Sequence, residues 1–397
     1  MIFEDAPGIK EGFNDLKEYF NISTFGAGLI AAIFGCTGPP LIIIKGAMNA
    51  GLNEATITSW LFSIYFFGGL ITLLIALMYK QPICGAWSIP GAILVAGVLS
   101  NFNINQAVGA YLISGLLVLI LGLTGLVGKV IRWLPLPIVM GMIAGALFKF
   151  GTNIVMAFEE GPLLIGVSFV IYLIFSKLFP KIPGVVGALL VGLLLTIVTG
   201  TADFSQVSFE IVSPQFFVPE FSVDAIFSIS IPLAIMVIGA ENAQAAGVLM
   251  AEDYKPPINA MTILSGIGGI ITSFFGGHNA NIAGPMTAIT SGPDAGEVKE
   301  GRYVASVFDG ILFTGFGLLA GAATAIVTAI PSSLINLLAG LAMIGVLTNA
   351  FETAFSGKFQ LGAFFALIIA ASGISILKIG APFWALAVGI IVSLLLE

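Results

Sequence analysis

Long apolar runs, separated by short charged or Pro/Gly-rich breaks, fill the chain from residue 23 onward. A helix that crosses a bilayer needs about 20 mostly apolar residues, and on that measure the pattern predicts fourteen segments. The first seven lie at 23–47, 55–79, 82–100, 104–128, 135–157, 161–179 and 182–200. After a polar stretch from Thr201 to Val223 come 224–250, 257–275, 277–293, 302–328, 331–350, 359–377 and 379–396. Segments 3 and 10 are short, interrupted by Ser88-Ile89-Pro90-Gly91 and by Ala283-Gly284-Pro285. The expected fold class is an all-α polytopic membrane protein.

Basic residues test the count. With the N-terminus inside, Lys10, Lys17, Lys80, Lys129, Arg132, Lys177, Lys181, Lys255, Lys299, Arg302 and Lys358 all fall on the cytoplasmic side, 11 of the 14 Lys and Arg. The bias follows the positive-inside rule and places both termini in the cytoplasm. Lys45, Lys149 and Lys378 are the exceptions, and Lys45 and Lys149 lie near enough to an outer surface to snorkel. The second seven segments follow the first at an offset near 196, where Pro135 matches Pro331, Ala146 matches Ala342 and Thr152-Asn153 matches Thr348-Asn349. Seven is odd, so a second copy enters the membrane upside down. Two inverted repeats, each with a broken third helix, are the signature of a secondary transporter.

Composition closes off other classes. Of the 397 residues 58% are hydrophobic and 9% charged, against roughly 45–50% and 25% in soluble chains. Soluble enzymes, nucleic-acid binders and secreted disulfide scaffolds are excluded. Cys36 and Cys84 sit in apolar segments and His278 is the single histidine, so no metal site or disulfide framework is expected, and no cofactor motif appears. Residues 1–22 are acidic and mixed, unlike a signal peptide, and read as a cytoplasmic leader.

The broken segments carry the candidate chemistry. Pro suits the first turn of a helix, so Pro90 and Pro285 predict half-helices in segments 3 and 10 that start after extended backbone. Irregular backbone at membrane depth survives only where protein or a water-filled cavity satisfies it. Two helix N-termini meeting near the midplane would offer unpaired N–H groups to an anion; that either Pro simply kinks a continuous helix is the lesser alternative, and the matched pair weighs against it. In segment 8, Glu241 and Gln244 share a helix face. An acid some 17 residues into an apolar span is a functional candidate by default and suits a proton-coupling group, although a structural carboxyl is the plain alternative. His278, Asn279 and Asn281 crowd the entry to segment 10. Asn281 could cap the half-helix or bind substrate, and His278 could touch substrate or proton or simply pack. Trp87, Ser88, Ile89, Asn242 and Ala283 complete the expected substrate site. Asp309, about seven residues into segment 11, could sense protons, but pairing with a nearby donor is the favoured reading, and Pro39-Pro40 could free carbonyls toward the same cavity.

At these residues the chain resembles the benzoate–proton symporter family. The matching stretches are Ser59-Trp60, Pro82 with Ala86-Trp87-Ser88-Ile89-Pro90-Gly91-Ala92, Glu241-Asn242, Tyr254-Lys255-Pro256-Pro257, Phe275-Gly276-Gly277-His278-Asn279-Ala280-Asn281 and Leu338-Ala339-Gly340-Leu341. The resemblance implies the seven-plus-seven inverted fold shared with uracil permeases and sulfate-type anion carriers. It implies a substrate-carrying core of segments 1–4 and 8–11, a gate of segments 5–7 and 12–14, and a homodimer through the gate domains. Glu241 stands where the family commonly has Gln; a carboxylate there resembles the uracil permease branch instead, whereas Ala280 replaces that branch's acid before Asn281-Ile282.

The expected organisation is a leader at 1–22, core halves at 23–128 and 224–329, and gate halves at 129–223 and 330–397. The expected function is proton-coupled uptake of benzoate or a related aromatic carboxylate across the inner membrane, with Glu241 or His278 taking the proton. A proton-coupled nucleobase permease is the alternative, and an uncoupled anion conduit a further one. The partners expected are substrate, protons and lipid, with no nucleic acid.

Overall fold

The computed structural model describes residues 3–128, 135–180, 182–205, 207–377 and 379–397. Lys129, Arg132, Lys181 and Lys378 fall outside them. The protein is mostly helical. Helices are numbered from the first long one: α1 (Ile22–Asn49), α2 (Glu54–Tyr79), α3 (Ile89–Val98), α4 (Ile104–Thr124), α5 (Leu136–Glu160), α6 (Pro162–Leu178) and α7 (Gly184–Val198). There follow α8 (Val223–Ala251), α9 (Ile258–Ser273), α10 (Gly284–Ser291), α11 (the pair Lys299–Leu318 and Ala320–Ala329, bent by 64°), α12 (Ser332–Phe355), α13 (Gln360–Ser372) and α14 (Ala381–Leu396). Among the described residues six helices (α1, α2, α4, α5, α8 and α12) are long and apolar enough to cross a membrane, or seven if the bent α11 is one span. The remaining helices are shorter pieces.

The all-α expectation needs one correction. Two antiparallel pairs of two-residue strands are present: β1 (Gly85–Ala86) with β2 (Asn281–Ile282), and β3 (Ser375–Ile376) with β4 (Ile379–Gly380). In the first pair Gly85 faces Ile282 and Ala86 faces Asn281. The extended backbone ahead of each half-helix thus satisfies its own polar groups, which is what makes it tolerable inside an apolar protein.

Helix starts are fixed by side chains. Asn21 and Asn103 form reciprocal capping boxes at α1 and α4, and Asn53 accepts from the Thr56 N–H at α2. Small residues then set helix-to-helix distance. A Cβ on Gly69 of α2 would lie 2.2 Å from Thr314 Oγ1 and 2.6 Å from the Gly310 carbonyl of α11, and one on Gly141 of α5 would lie 2.3 Å from the Ala363 carbonyl of α13. The heaviest packing joins α2 and α1 to α11 and α4 to α9 on one side, and α5 to α12 and α13, α6 to α7 and α13 to α14 on the other.

Two peripheral segments are tied down. The leader forms short helices at Ile9–Asn14 and Leu16–Tyr19, and the Glu4 carboxylate accepts from the N–H groups of Asn259 and Ala260 at 2.8 and 3.1 Å. It thereby caps α9 from a distance, an anion at a helix N-terminus. Asp15 pairs with Lys80, and that bond holds the Lys80 ammonium above its ordinary range. The polar stretch between α7 and α8 runs extended across helix ends. Val212, Gln215, Phe217 and Glu220 donate their N–H groups to Leu318 O, Ser59 Oγ, Phe274 O and Asn105 O at 2.8–3.0 Å.

Helix α8 departs from regular geometry twice, at the π-helical turns Ile226–Ser230 and Val237–Asn242. The second contains Glu241. Turns of this kind recur at functional sites because one extra residue displaces its neighbours from the α pattern.

Candidate functional site

Half-helices α3 and α10 start from β1 and β2 in matching fashion. Ser88 (φ −80°, ψ 113°) and Ala283 (φ −86°, ψ 116°) are the residues before each helix, with Pro90 and Pro285 at the second helical position. The expectation that both prolines start helices agrees with this geometry. The two ends differ in one respect. Ser88 Oγ accepts from the Gly91 N–H at 3.0 Å and closes α3, whereas Ala283 brings no side-chain cap to α10. The other end of α10 meets Arg302, which is 8% exposed and donates from Nη1 to the Ser291 carbonyl at 2.7 Å. A cation there complements the helix dipole.

A cavity of about 320 Å³ opens at the crossing, within the range of roughly 300–1,000 Å³ usual for small-molecule sites. Glu241 and Gln244 of α8 supply polar groups, and Asn349 supplies another from α12. Trp87, Ile89 and Ala283 form the wall at the strand crossing. Phe34, Met140, Ile143, Phe313 and Val346 make up much of the remaining apolar wall. Gln244 lies directly over Gly284, where a Cβ would stand 2.6 Å from its Oε1. A second cavity, about 630 Å³, lies between the start of α1, the α6–α7 junction and the end of α10. Phe34 borders both.

Of the residues expected to bind substrate, Trp87, Ile89, Glu241, Gln244 and Ala283 line the cavity. Ser88, Asn242, His278, Asn279 and Asn281 stand behind the wall; the side chains of the first four tie the crossing together, and Asn281 takes part through its backbone in β2. Ser88 Oγ donates to Glu241 Oε1 at 2.8 Å. Asn242 Oδ1 accepts from the Ile282 N–H at 2.8 Å and its Nδ2 donates to Ser265 at 3.0 Å, so Asn242 fastens β2 to α8 and α9. Asn279 Oδ1 accepts from the Ser88 N–H at 3.1 Å. Asn281 does not cap α10: it is fully buried in β2, three residues ahead of the helix, and neither end of its amide has a hydrogen-bond partner.

His278 is fixed at both ring nitrogens. Trp60 Nε1 donates to His278 Nδ1 at 3.0 Å, and His278 Nε2 lies 2.9 Å from the Ser88 carbonyl. An indole N–H is donor only, so Nδ1 accepts and Nε2–H donates to the carbonyl. Trp87 packs edge-on against both His278 and Tyr65, at 5.7 and 5.6 Å between ring centroids. Pro39 lacks the N–H that would bond the Gly35 carbonyl. The Tyr65 hydroxyl donates to that carbonyl at 2.7 Å instead, while Gly35 and Pro39 both border the cavity. Asp309, expected to pair with a donor, has none: both carboxyl oxygens are buried without a hydrogen-bond partner.

The apolar wall carried no sequence signal, because Phe34, Met140 and Phe313 sit in uniformly apolar helices where no periodicity separates cavity from lipid. Trp60 was legible only as part of a matching stretch. Among the described residues no cluster of metal-ligating side chains occurs.

Comparison with known proteins agrees over the full length. The family described as benzoate membrane transport protein matches residues 18–395. The chain is 26% identical over 382 residues to a benzoate membrane transport protein of Acinetobacter baylyi, covering 96% of this chain and 97% of that one. It is 29% identical over 367 residues to the inner membrane protein YdcO of Escherichia coli, covering 92% and 94%. In fold it resembles the transmembrane domain of a cyanobacterial bicarbonate transporter, BicA, with a TM-score of 0.61, 15% identity and 96% of each chain covered. The murine anion transporter Slc26a9, in its inward-facing state, gives a TM-score of 0.65 at 15% identity, covering 97% of this chain and 70% of that one.

Proposed function

We infer that this chain, which belongs to the benzoate membrane transport protein family, carries benzoate or a related aromatic carboxylate together with a proton. It is a membrane transporter and not an enzyme. One observation carries the substrate reading: the mainly apolar cavity has a single acidic side chain, Glu241, beside a half-helix whose N-terminus is uncapped. The ring would lie against Trp87, Phe313 and Met286. The carboxylate would accept N–H groups at the start of α10, with Gln244 alongside.

The proton follows from charge. A carboxylate cargo and an ionised Glu241 in one enclosed site repel each other strongly, because the surrounding dielectric is low. A proton on Glu241 removes the repulsion and leaves Ser88 a partner in either state. Binding of cargo and proton then favour one another, which is the linkage a symporter needs. His278 is assigned a positioning role, since protonation of Nδ1 would break the Trp60 bond.

The same reading takes the fold as fourteen segments in two inverted sets of seven. In support, α3 and α10 enter their strands with matching backbone, and the cavity lies between α1, α3, α8, α10 and α11 on one wall and α5 and α12 on the other. The first group would form the core at 23–128 and 224–329, and the second would belong to the gate at 129–223 and 330–397. Movement of core against gate would open the site alternately. The name of the Escherichia coli relative supports an inner-membrane location. Both termini are assigned to the cytoplasm, and a homodimer through the gate is the assembly expected.

Uptake of labelled benzoate and uracil into proteoliposomes, with and without an inward proton gradient, tests the reading. Benzoate concentrated by the gradient supports it. Uracil accumulation without benzoate would make the cargo a nucleobase gripped by Glu241, and mere equilibration of benzoate would make the protein a conduit.

A further inference from the structure

One turn from the cavity, on the far side of Phe313, lies a polar chamber that the substrate site does not use. Its members come from three elements that pack together. Asp309 and Ser306 share one face of α11. Cys84 immediately precedes β1, and Thr290 is the next-to-last residue of α10. Ser306 Oγ donates to Thr290 Oγ1 at 3.0 Å, and Cys84 Sγ lies 3.4 Å from both hydroxyl oxygens. Asp309, Ser306, Thr290 and Cys84 are all fully buried, and the Asp309 carboxyl oxygens have no hydrogen-bond partner.

An ionised carboxylate cannot rest in such a place. The effective cost of burying an unpaired ion is several kcal/mol. No described salt bridge reaches Asp309. From α1 the facing titratable group is the Cys36 thiol, and from the β1 side the Cys84 thiol, which lies close to the carboxyl but outside hydrogen-bonding geometry. From α2 the Tyr65 hydroxyl is engaged by Gly35, and α10 presents only hydroxyls, of Thr287 and Thr290. Neither thiol nor hydroxyl can balance a negative charge.

We propose that the chamber of Asp309, Cys84, Thr290 and Ser306 is a second proton-binding site of the carrier, separate from Glu241. Its link to the cavity is mechanical. The Cys84 N–H donates to Thr287 Oγ1 at 3.2 Å and its carbonyl accepts from the Ala283 N–H at 2.8 Å. Charge on Asp309 demands water or a donor, and either must part Cys84 from α10, which loosens the β1–β2 crossing. The carboxylate takes its proton from water when the crossing opens and seals it in when the crossing closes. The proposal rests on the transport reading above, but not on which cargo is carried.

Of the seven aspartates, Asp309 alone is buried. Infrared spectra of protein carrying carbon-13 aspartate should therefore show one neutral carboxyl carbonyl band, absent from a folded Asp309→Asn variant. In proteoliposomes that variant should bind benzoate within twofold of wild type and exchange internal for external benzoate. Its gradient-driven accumulation should fall at least tenfold. A wild-type spectrum with carboxylate bands only would overturn the proposal even if Asp309→Asn failed to fold. So would unimpaired accumulation by the variant, or thermal stability that rises with sodium in wild type and not in Asp309→Asn, which would make the chamber a cation site. If wild type itself accumulates no substrate under a gradient, the transport reading fails, while the infrared band still decides whether Asp309 holds a proton.

Discussion

Ser88 Oγ donates to Glu241 Oε1 at 2.8 Å and accepts from the Gly91 N–H at 3.0 Å. One hydroxyl therefore closes the half-helix α3 and orients the one acid that lines the cavity among the described residues. Removing it should cost both functions. Ser88→Ala should lose about 1 kcal/mol of stability, the usual worth of a cap, and weaken benzoate binding. Thermal unfolding and calorimetry check this, with Ser88→Thr expected to recover most of both.

Glu241→Gln keeps size and hydrogen-bonding capacity while removing the charge. It should bind benzoate across about pH 5–8 with a flatter pH dependence than wild type, which follows from linkage when a titrating partner is lost. It should exchange substrate but not concentrate it. Accumulation at the wild-type level would remove Glu241 from the coupling mechanism.

His278→Leu strands the buried Trp60 indole N–H, while the Ser88 carbonyl keeps its bond from the Ala92 N–H at 2.9 Å. One unsatisfied buried group costs roughly 1–3 kcal/mol, so the variant should be destabilised by about that much. A milder variant, His278→Gln, should retain the wild-type pH profile of uptake at reduced rate. A shifted profile would return His278 to the proton path.

Gly85→Ala tests how tightly β1 is seated. A Cβ there would lie 2.7 Å from Ile71 Cγ2 and 2.8 Å from the Gly68 carbonyl. The backbone neighbour cannot turn aside, so overpacking should cost about 1–3 kcal/mol and weaken substrate binding by displacing Trp87. Unchanged melting temperature and affinity would show that the crossing has slack.

Much of this was visible in the sequence, and for definite reasons. Apolar runs with punctuation located the helices to within a few residues, because the bilayer imposes a length. Ser88-Ile89-Pro90 and Ala283-Gly284-Pro285 marked the half-helices, because Pro restricts where a helix begins. Glu241 stood out because acids are costly at that depth. What stayed hidden depends on contacts between distant segments. Nothing local says that Gly85 pairs with Ile282, or that Asn242 spends its amide on Ile282 and Ser265. Asn281 looked like a cap by its position beside a helix start, yet Ala283 occupies that position and Asn281 turns out to belong to the strand. Asp309 was expected to find a donor because buried acids usually do.

The π turn at Val237–Asn242 also bears on how this protein can change over time. An α-helix turns about 100° per residue, so an added residue ordinarily rotates everything beyond it out of phase. Here the surplus residue is absorbed within one turn, and the helix on either side keeps its packing phase. Deleting one residue inside that turn should therefore keep the packing phase of the helix beyond it, but swing Glu241 off the cavity wall and strain the Asn242 tie to β2. Deleting one residue from the regular α-helical parts of α8 should break its packing against α9 and α10. Chain length at this turn is thus set less by the phase of the helix around it than by the placing of Glu241 and of the Asn242 amide that fastens β2.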